Sequence, residues 1–443
     1  MRVPKRPPEL DEAQFMEFWA ARRQLLQERG YLAAAQDRYL SWDEIRYRPV
    51  PGEIAPELAW HVLADLRRAN GRSVSHLTDA IGDPFRYHLT DRMMQELLWL
   101  EGAAADPLGL TARPSEADQK RFMLRTMMEE AISSSLIEGA ATTRREAKAL
   151  LRAGRRPSTH GERMIVNNYR TIERLAEWAD RDLSVPLLCE IHASITQGTL
   201  EDPADAGRVQ APGEQRVRVV DLEGTVFHTP PSAEGMPARL ERLCEFANAE
   251  EPYVPPVIRA MLLHFQLAYE HPFVDGNGRT ARALFYWSLL RRRSWVMRYV
   301  SISSVLLGKR KQYNLSYVHT EQTGDLNYFL VFQLKALHQA FDNLAAYVAR
   351  KRTEVASAEA ALRHWPELNH RQRQLVAVAL DDPARVFTIE EHRRAHGVVY
   401  QTARSDLLAL VALELFEKWR QGRAHRFKAH PALADAILGR SKG

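Results

Sequence analysis

The sequence predicts a mainly α-helical protein with one small β-hairpin set inside it, and three observations carry that prediction. Apolar residues recur at helical spacing through most of the chain, as in residues 257–270 (VIRAMLLHFQLAYE) and 280–291 (TARALFYWSLLR). Helix start and stop signals punctuate these runs, such as Thr143 followed by Glu146 and the single Gly139 before it. Within the helical pattern, residues 207–230 alternate polar and apolar as a strand does.

Composition sets the outer bounds. The chain has 443 residues, 45% of them apolar and 26% charged, which is the balance of a globular protein with a sizeable core. That length corresponds to roughly two to four domains. A net charge of +5 is too mild to argue for nucleic acid by itself. Cys189 and Cys244 are far apart and lack metal spacing, so no disulfide framework is expected and a reducing, cytoplasmic setting fits. The N-terminus has no apolar signal core, and no run approaches the length of a membrane span, so no membrane partner is expected.

Taken in order, residues 1–114 read as a helical scaffold or docking region. Its helices are expected at 13–36, 57–70 and 88–101, the last starting at Thr90 or Asp91, with Pro49, Pro51 and Gly52 between the first two. A helix starting at Ser115 runs through Met123, Leu124, Met127 and Met128 to Ile137 and stops at Gly139. On it, Ser134 and Glu138 are four apart and share a face. Thr143 and Glu146 form a capping box for the next helix. Helices follow at 160–178 and 184–198, and His192 on the second reads as a packed or exposed histidine rather than a ligand. The hairpin comprises Arg216-Val217-Arg218-Val219-Val220, a turn at Asp221-Leu222-Glu223-Gly224, and Thr225-Val226-Phe227-His228, ended by Pro230-Pro231.

Beyond residue 309, Tyr313 and Tyr317 lie four apart, and a helix spans 325–348. Residues 346–369 read as a helical linker. Residues 370–443 give helix, helix, a turn at Gly397, helix, then a strand pair about Gln421-Gly422, which is the order of a winged helix-turn-helix. Its wing, Lys418 to Lys428, has five Lys or Arg and no acid. Gln401, Thr402, Arg404 and Ser405 mark a recognition helix, and Asp406 counts against DNA. Docking to protein, its own chain included, stands beside DNA binding as the alternative.

The chemistry concentrates at His271-Pro272-Phe273-Val274-Asp275-Gly276-Asn277-Gly278-Arg279-Thr280-Ala281-Arg282, a polar loop between two apolar helices. Gly276 and Gly278 let backbone N–H groups approach a ligand at a helix start, where anions bind. Arg279 and Arg282 can fork onto phosphate oxygens. Asp275 is a hard oxygen ligand suited to Mg²⁺ shared with phosphates. His271 can act as a base near neutral pH. Together these residues point to phosphoryl or nucleotidyl transfer.

This run resembles the Fic family motif, HxFx(D/E)GNGRxxR, and matches it at every defined position. Ser134, Glu138 and Gly139 match the (S/T)xxxE(G/N) pattern of that family's inhibitory helix, here N-terminal to the core. The resemblance covers roughly residues 115–345. It implies a Fic helical core with an inhibitory helix at about 118–139, and the accessory parts of bacterial members. It also implies protein adenylylation (AMPylation), with ATP held by Gly276, Asn277, Gly278, Arg279, Thr280, Ala281 and Arg282. His271 would be the catalytic base, Asp275 the ligand of Mg²⁺ or Mn²⁺, and Tyr313 a contact to base or ribose. Glu138 would pair with Arg282 and obstruct the γ-phosphate. The hairpin would be a flap whose Val226, Phe227 and His228 hold a target protein's Tyr, Thr or Ser by main-chain pairing, self-modification included. A homodimer is a further expectation. Two alternatives stay open: removal of AMP by the same site, and a DNA-binding regulator whose core senses nucleotide.

Overall fold

From the N-terminus the chain forms α1 (Gln14–Gln27), α2 (Arg29–Arg38), α3 (Trp42–Ile45), α4 (Pro56–Asn70), β1 (Arg72–Thr78), β2 (Pro84–Tyr87) and α5 (Asp91–Ala105). The structure, a computed structural model, describes residues 3–105, 116–220, 224–292, 300–363, 365–383, 385–421 and 424–440, with backbone only at 103–105, 116–121 and 440. The expected helix start at Ser115, the turn residues Asp221, Leu222 and Glu223, and Gly422 and Arg423 of the wing lie outside the described residues.

Two features of the N-terminal region differ from expectation. The helix expected over 13–36 is two helices, because Glu28 leaves helical geometry (φ −82°, ψ 58°) just before Gly30, a poor helix former. Residues 72–87 are an antiparallel hairpin rather than helix, with Arg72 opposite Tyr87 and Ser73 opposite Arg86. Its turn is closed by the Asp79 carboxylate, which accepts from the Ile81 and Asp83 N–H groups. Phe85 and Tyr87 alternate inward, as a two-residue period requires.

The chain continues with α6 (Glu116–Ile137), α7 (Arg144–Ala153), α8 (His160–Trp178), α9 (Val185–Thr196), β3 (Val219–Val220), β4 (Val226–His228), α10 (Met236–Asn248), α11 (Pro256–Glu270), α12 (Asn277–Arg291), α13 (Ile302–Gly308), α14 (Arg310–Thr323) and α15 (Asn327–Arg363). Thr143 and Glu146 cap α7 reciprocally, as the sequence signals. The centre is the pair α11 and α12, packed against α8, α9 and α10. Both are buried on nearly every face, so they read as continuous apolar runs rather than stripes. The loop joining them is therefore anchored at both ends in the stiffest part of the molecule.

Two compact units form, Met1–Pro107 with Leu124–Phe341, and Leu108–Met123 with Asp342–Gly443. The N-terminal helices thus share a unit with α8 to α12, and α15 runs unbroken through most of the expected linker. The second unit carries α16 (His370–Asp381), β5 (Val386–Phe387), α17 (Ile389–His396), α18 (Tyr400–Ala412), β6 (Phe416–Gln421), β7 (Ala424–Ala429) and α19 (Leu433–Arg440). Its strands form one antiparallel sheet in the order β5-β7-β6 over a core that includes Leu375, Phe387, Leu407, Phe416 and Phe427. Strand β5, two residues long, is too short to show in the sequence pattern. Among the described residues no helix is long and apolar enough to cross a membrane.

Candidate active site

Helix α11 ends at Glu270, and His271 turns the chain out in the left-handed region (φ 48°). Gly276, also left-handed at φ 82°, turns it back into α12. A side chain at Gly276 would stand 2.6 Å from Thr196 Cγ2, so both φ and space demand glycine. The N–H groups of Asn277, Gly278 and Arg279 open α12 and have no acceptor within the helix.

Two buried side chains fix this loop. Asn277 accepts from the Phe273 N–H at 2.9 Å and donates to the Phe273 carbonyl at 2.7 Å. The ring of Phe273 stacks on His192 at 3.7 Å and 3°. His192 Nδ1 accepts from the Gly207 N–H at 2.9 Å, so its proton sits on Nε2, which donates to the Asp275 carbonyl at 2.8 Å. Burial holds this imidazole down to about 4, which keeps it neutral and the tautomer fixed. His192 is thus a packed helix histidine, but one that sets the position of Asp275.

His271 Nδ1 lies 3.2 Å from the Ala268 carbonyl, which can only accept. The Nε2 lone pair is therefore left over. Burial first, then the neighbouring His228, pushes this group down to about 4. At neutral pH it is an uncharged imidazole able to take a proton.

The two arginines of the run go separate ways. Arg279 is fully buried, with Nη2 3.2 Å from Asp275 Oδ2 and Nη1 3.5 Å from the Ile195 carbonyl. Arg282 Nε donates to Ser134 Oγ at 2.8 Å. Its Nη2 donates to the Ser134 carbonyl at 3.0 Å and to Glu138 Oε1 at 2.8 Å. Burial is the largest single influence on each and works against both charges of the Arg282–Glu138 pair, and their mutual attraction together with that of neighbouring groups outweighs it. Arg282 holds the Glu138 carboxyl below its usual range, and Glu138 raises Arg282.

Glu138 is delivered by the way α6 stops. Gly139 takes φ 85°, its N–H bonds the Leu136 carbonyl at 3.2 Å, and the Ala140 N–H bonds the Ser135 carbonyl at 3.0 Å. These paired bonds close the helix end, with Glu138 as its last capping residue. Its Oε1 lies 2.2 Å from where a β-carbon on Gly278 would stand, so the carboxylate fills the space against the first turn of α12. A neutral imidazole, a helix start with open N–H groups and two arginines, each beside a carboxylate, form a place for a phosphate ester.

The profile of the Fic/DOC family matches residues 182–289, the stretch that holds α9 to α12 and this loop. The chain carries a Fic/DOC family domain. It is 31% identical over 157 residues to protein adenylyltransferase fic-1 of Caenorhabditis elegans, covering 35% of this chain and 27% of that protein. It is 27% identical over 169 residues to protein adenylyltransferase Fic of Nematostella vectensis, covering 38% and 34%. The chain spans about a third or less of the length of these curated relatives. A solved segment of Fic-1 from C. elegans with one Glu-to-Gly substitution aligns at TM-score 0.50 and 20% identity, over 74% of this chain and 86% of that one. That likeness shows the fold: a mainly helical Fic architecture with small antiparallel sheets.

Around the Fic loop, the remaining expected residues fall into three groups. Of the hairpin residues, Val226 is 40% exposed and Phe227 half-buried, but His228 is buried, with its Nε2 2.7 Å from the Tyr269 carbonyl. His228 therefore braces the hairpin and is not part of its open edge. Thr280 and Ala281 are fully buried, and Thr280 Oγ1 donates back to the Gly276 carbonyl at 2.9 Å. Their side chains pack into the protein core. Tyr313 is buried as well, its hydroxyl 2.9 Å from His264 Nε2 and 3.2 Å from Tyr317, in the packing behind Arg282. Asp275 has a half-exposed carboxylate, with Oδ1 accepting from the Gly276 N–H at 2.6 Å. No group of three or more His, Cys, Asp or Glu is placed to hold a metal among the described residues.

Three residues of the Fic site escaped the sequence reading. His192 acts on a carbonyl 83 residues away, which no local pattern shows. The Asn277 side chain reads as part of the phosphate nest but braces Phe273 instead. Arg216 reads as one position of an alternating strand. Its guanidinium instead donates to the carbonyls of Glu270 and His271, the latter at 3.2 Å, and to that of Pro231 at 2.9 Å. This closes the end of α11, and among the described residues the hairpin ladder runs between Val219–Val220 and Val226–His228.

Proposed function

We propose that this Fic domain transfers AMP from ATP to a Tyr, Thr or Ser hydroxyl of a protein, itself included, and that Glu138 holds it off. The observation that carries the reading is the neutral His271, with its Nε2 unengaged, beside the helix start of α12. Relatives named protein adenylyltransferase support it. The phosphates lie on the loop at Gly276, Asn277 and Gly278, held by the open N–H groups of Asn277 and Gly278 because that of Gly276 is taken by Asp275, with Arg279 on the β-phosphate and Arg282 on the γ-phosphate. Asp275 would hold a magnesium or manganese ion, because one half-exposed hard carboxylate is what such ions take from protein, and the ion would offset phosphate charge when bound.

The target hydroxyl gives its proton to His271 Nε2 while its oxygen bonds the α-phosphorus, and the bond from that phosphorus to pyrophosphate breaks. The hairpin edge at Val226 and Phe227 supports the segment that brings the hydroxyl. With Arg282 taken by Glu138, the γ-phosphate lacks its partner and meets a like charge. The test is label incorporation from α-labelled ATP in a lysate. Glu138→Gly should raise it and His271→Ala abolish it. Absence of any His271-dependent label would remove this reading. If instead Glu138→Gly stops release of AMP from a modified protein, the site runs as a de-AMPylase.

A second reading concerns Asp342–Gly443, and one observation favours it. Asp406, the acid that counts against DNA in the sequence, is turned inward. It is 5% exposed and accepts from Asn369 at 2.9 Å, Arg371 at 2.8 Å and His392 at 3.0 Å. The outer face of α18 is left with Gln401, Arg404 and Ser405, and β6 exposes Lys418, Trp419 and Arg420. We propose that this surface belongs to a winged helix-turn-helix and binds duplex DNA. Anisotropy with a labelled duplex should show binding that weakens with salt and with Arg404→Ala. Binding indifferent to salt would refute it.

A further inference from the structure

Helix α6 meets α12 through more than the arginine. Along α6, Glu130, Ser134 and Glu138 are spaced by four, and along α12, Gly278, Arg282 and Tyr286 are spaced by four. The two rows face each other in opposite directions. Glu138 lies against Gly278, Ser134 and Glu138 bond Arg282, and Glu130 Oε2 accepts from the Tyr286 hydroxyl at 2.8 Å. Glu130 is 3% exposed and gathers three more neutral donors from the start of α13: Ser301 Oγ at 2.9 Å, the Ser303 N–H at 3.0 Å, and Ser303 Oγ. A buried carboxylate held by several donors is a strong fixed point, because leaving it requires those donors to be stranded or resolvated.

We propose that Glu130 is the positioning residue of the inhibitory helix. It pins α6 against α12 and α13 and thereby keeps Glu138 on Arg282. It touches no reacting atom, and it lies two turns from Glu138 on the same rigid helix, so loosening it withdraws Glu138. On the neighbouring face, Glu129 pairs with Arg144 at 2.8 Å and Lys148 at 2.9 Å, which ties α6 to α7, while Glu130, Ser134 and Glu138 face α12. The inference rests on the proposed adenylyl transfer for its activity readout, and on helix anchoring for a second readout that needs no activity.

The experiment compares Glu130→Gln, Tyr286→Phe and Glu138→Gly, singly and with Glu130→Gln and Glu138→Gly combined. Glutamine keeps the size and one acceptor, and Tyr286→Phe removes a single hydroxyl, so the two report on anchoring by independent routes. Both should raise labelling from α-labelled ATP, Glu130→Gln by about tenfold, the scale of one hydrogen bond to a charged group. The double variant should add nothing to Glu138→Gly alone, since both act through Glu138. Amide hydrogen exchange along 130–138 should quicken in Glu130→Gln while that of α11 stays unchanged. Wild-type labelling in Glu130→Gln beside a released Glu138→Gly overturns the inference and leaves the proposed function intact. If no variant labels, the proposed function falls. Exchange along 130–138 then decides the inference alone, unchanged rates overturning it.

Discussion

Replacing His192 by Phe tests the support of the motif loop without touching the motif. Phenylalanine keeps a flat ring in the stack on Phe273, which sits at 3.7 Å and 3°, and removes both ring nitrogens. The Gly207 N–H and the Asp275 carbonyl then lose partners at 2.9 and 2.8 Å. Both groups are partly buried, so each loss is set near the net worth of one hydrogen bond, ~1 kcal/mol, for a total of about 2 kcal/mol. Asp275 is also freed to drift, and a misplacement of ~1 Å in a positioned group costs about 100-fold in rate. Urea denaturation measures the first effect. Labelling from α-labelled ATP in the Glu138→Gly background measures the second. A variant that matches its parent in both midpoint and rate would refute the argument that His192 holds Asp275 in place.

Gly276→Ala must place a β-carbon 2.6 Å from Thr196 Cγ2 at φ 82°, so strain and overpacking together should cost about 3 kcal/mol in urea denaturation. Gly278→Ala should fold with a midpoint somewhat below wild type, because its β-carbon must displace the Glu138 carboxylate, at 2.2 Å, and crowd Arg282 Nη1, at 3.2 Å, and so disturb their ion pair. In the Glu138→Gly background it should weaken binding of a non-hydrolysable ATP analogue by about tenfold or more, read by calorimetry. His192 and His271 titrate at about 4, and His264 well below 6.5, in the folded chain. The unfolded chain therefore binds more protons between about pH 4 and 6.5, and stability should fall as pH is lowered through that window, seen as a lower melting temperature at pH 5 than at pH 7. Transfer by His271 should hold steady from pH 8 to 6 and fail as pH approaches about 4.

The legible part of this protein is the part written in local pattern. Helices such as α4 and α8, the capping box at Thr143, the stop at Gly139 and the hairpin about Val226 follow from spacing and turn chemistry. The pairing of Arg282 with Glu138 was expected only from the resemblance to the Fic motif, since nothing local joins residues 144 apart. What escaped the sequence is of two kinds. Short strands such as Pro84–Tyr87 and Val386–Phe387 are defined by their partners across the sheet and not by their own few residues. Polar side chains such as His192, Arg216, Glu130 and Asp406 look like ordinary surface positions until the fold shows which carbonyl, hydroxyl or guanidinium each one meets.

The carboxylate that lies against the first turn of α12 belongs to the same chain as the turn itself, and this changes what can displace it. A free inhibitor leaves when the protein is diluted, whereas a tethered one keeps the same local concentration, typically in the millimolar range, at any protein level. On the proposed reading, lowering expression would not switch the site on. Either ATP would have to rise until it competes with a fixed dose of glutamate, or something would have to pull α6 away from Arg282. The chain would then carry its own antagonist at constant strength, and the proposed activity would be a comparison between that strength and the nucleotide around it.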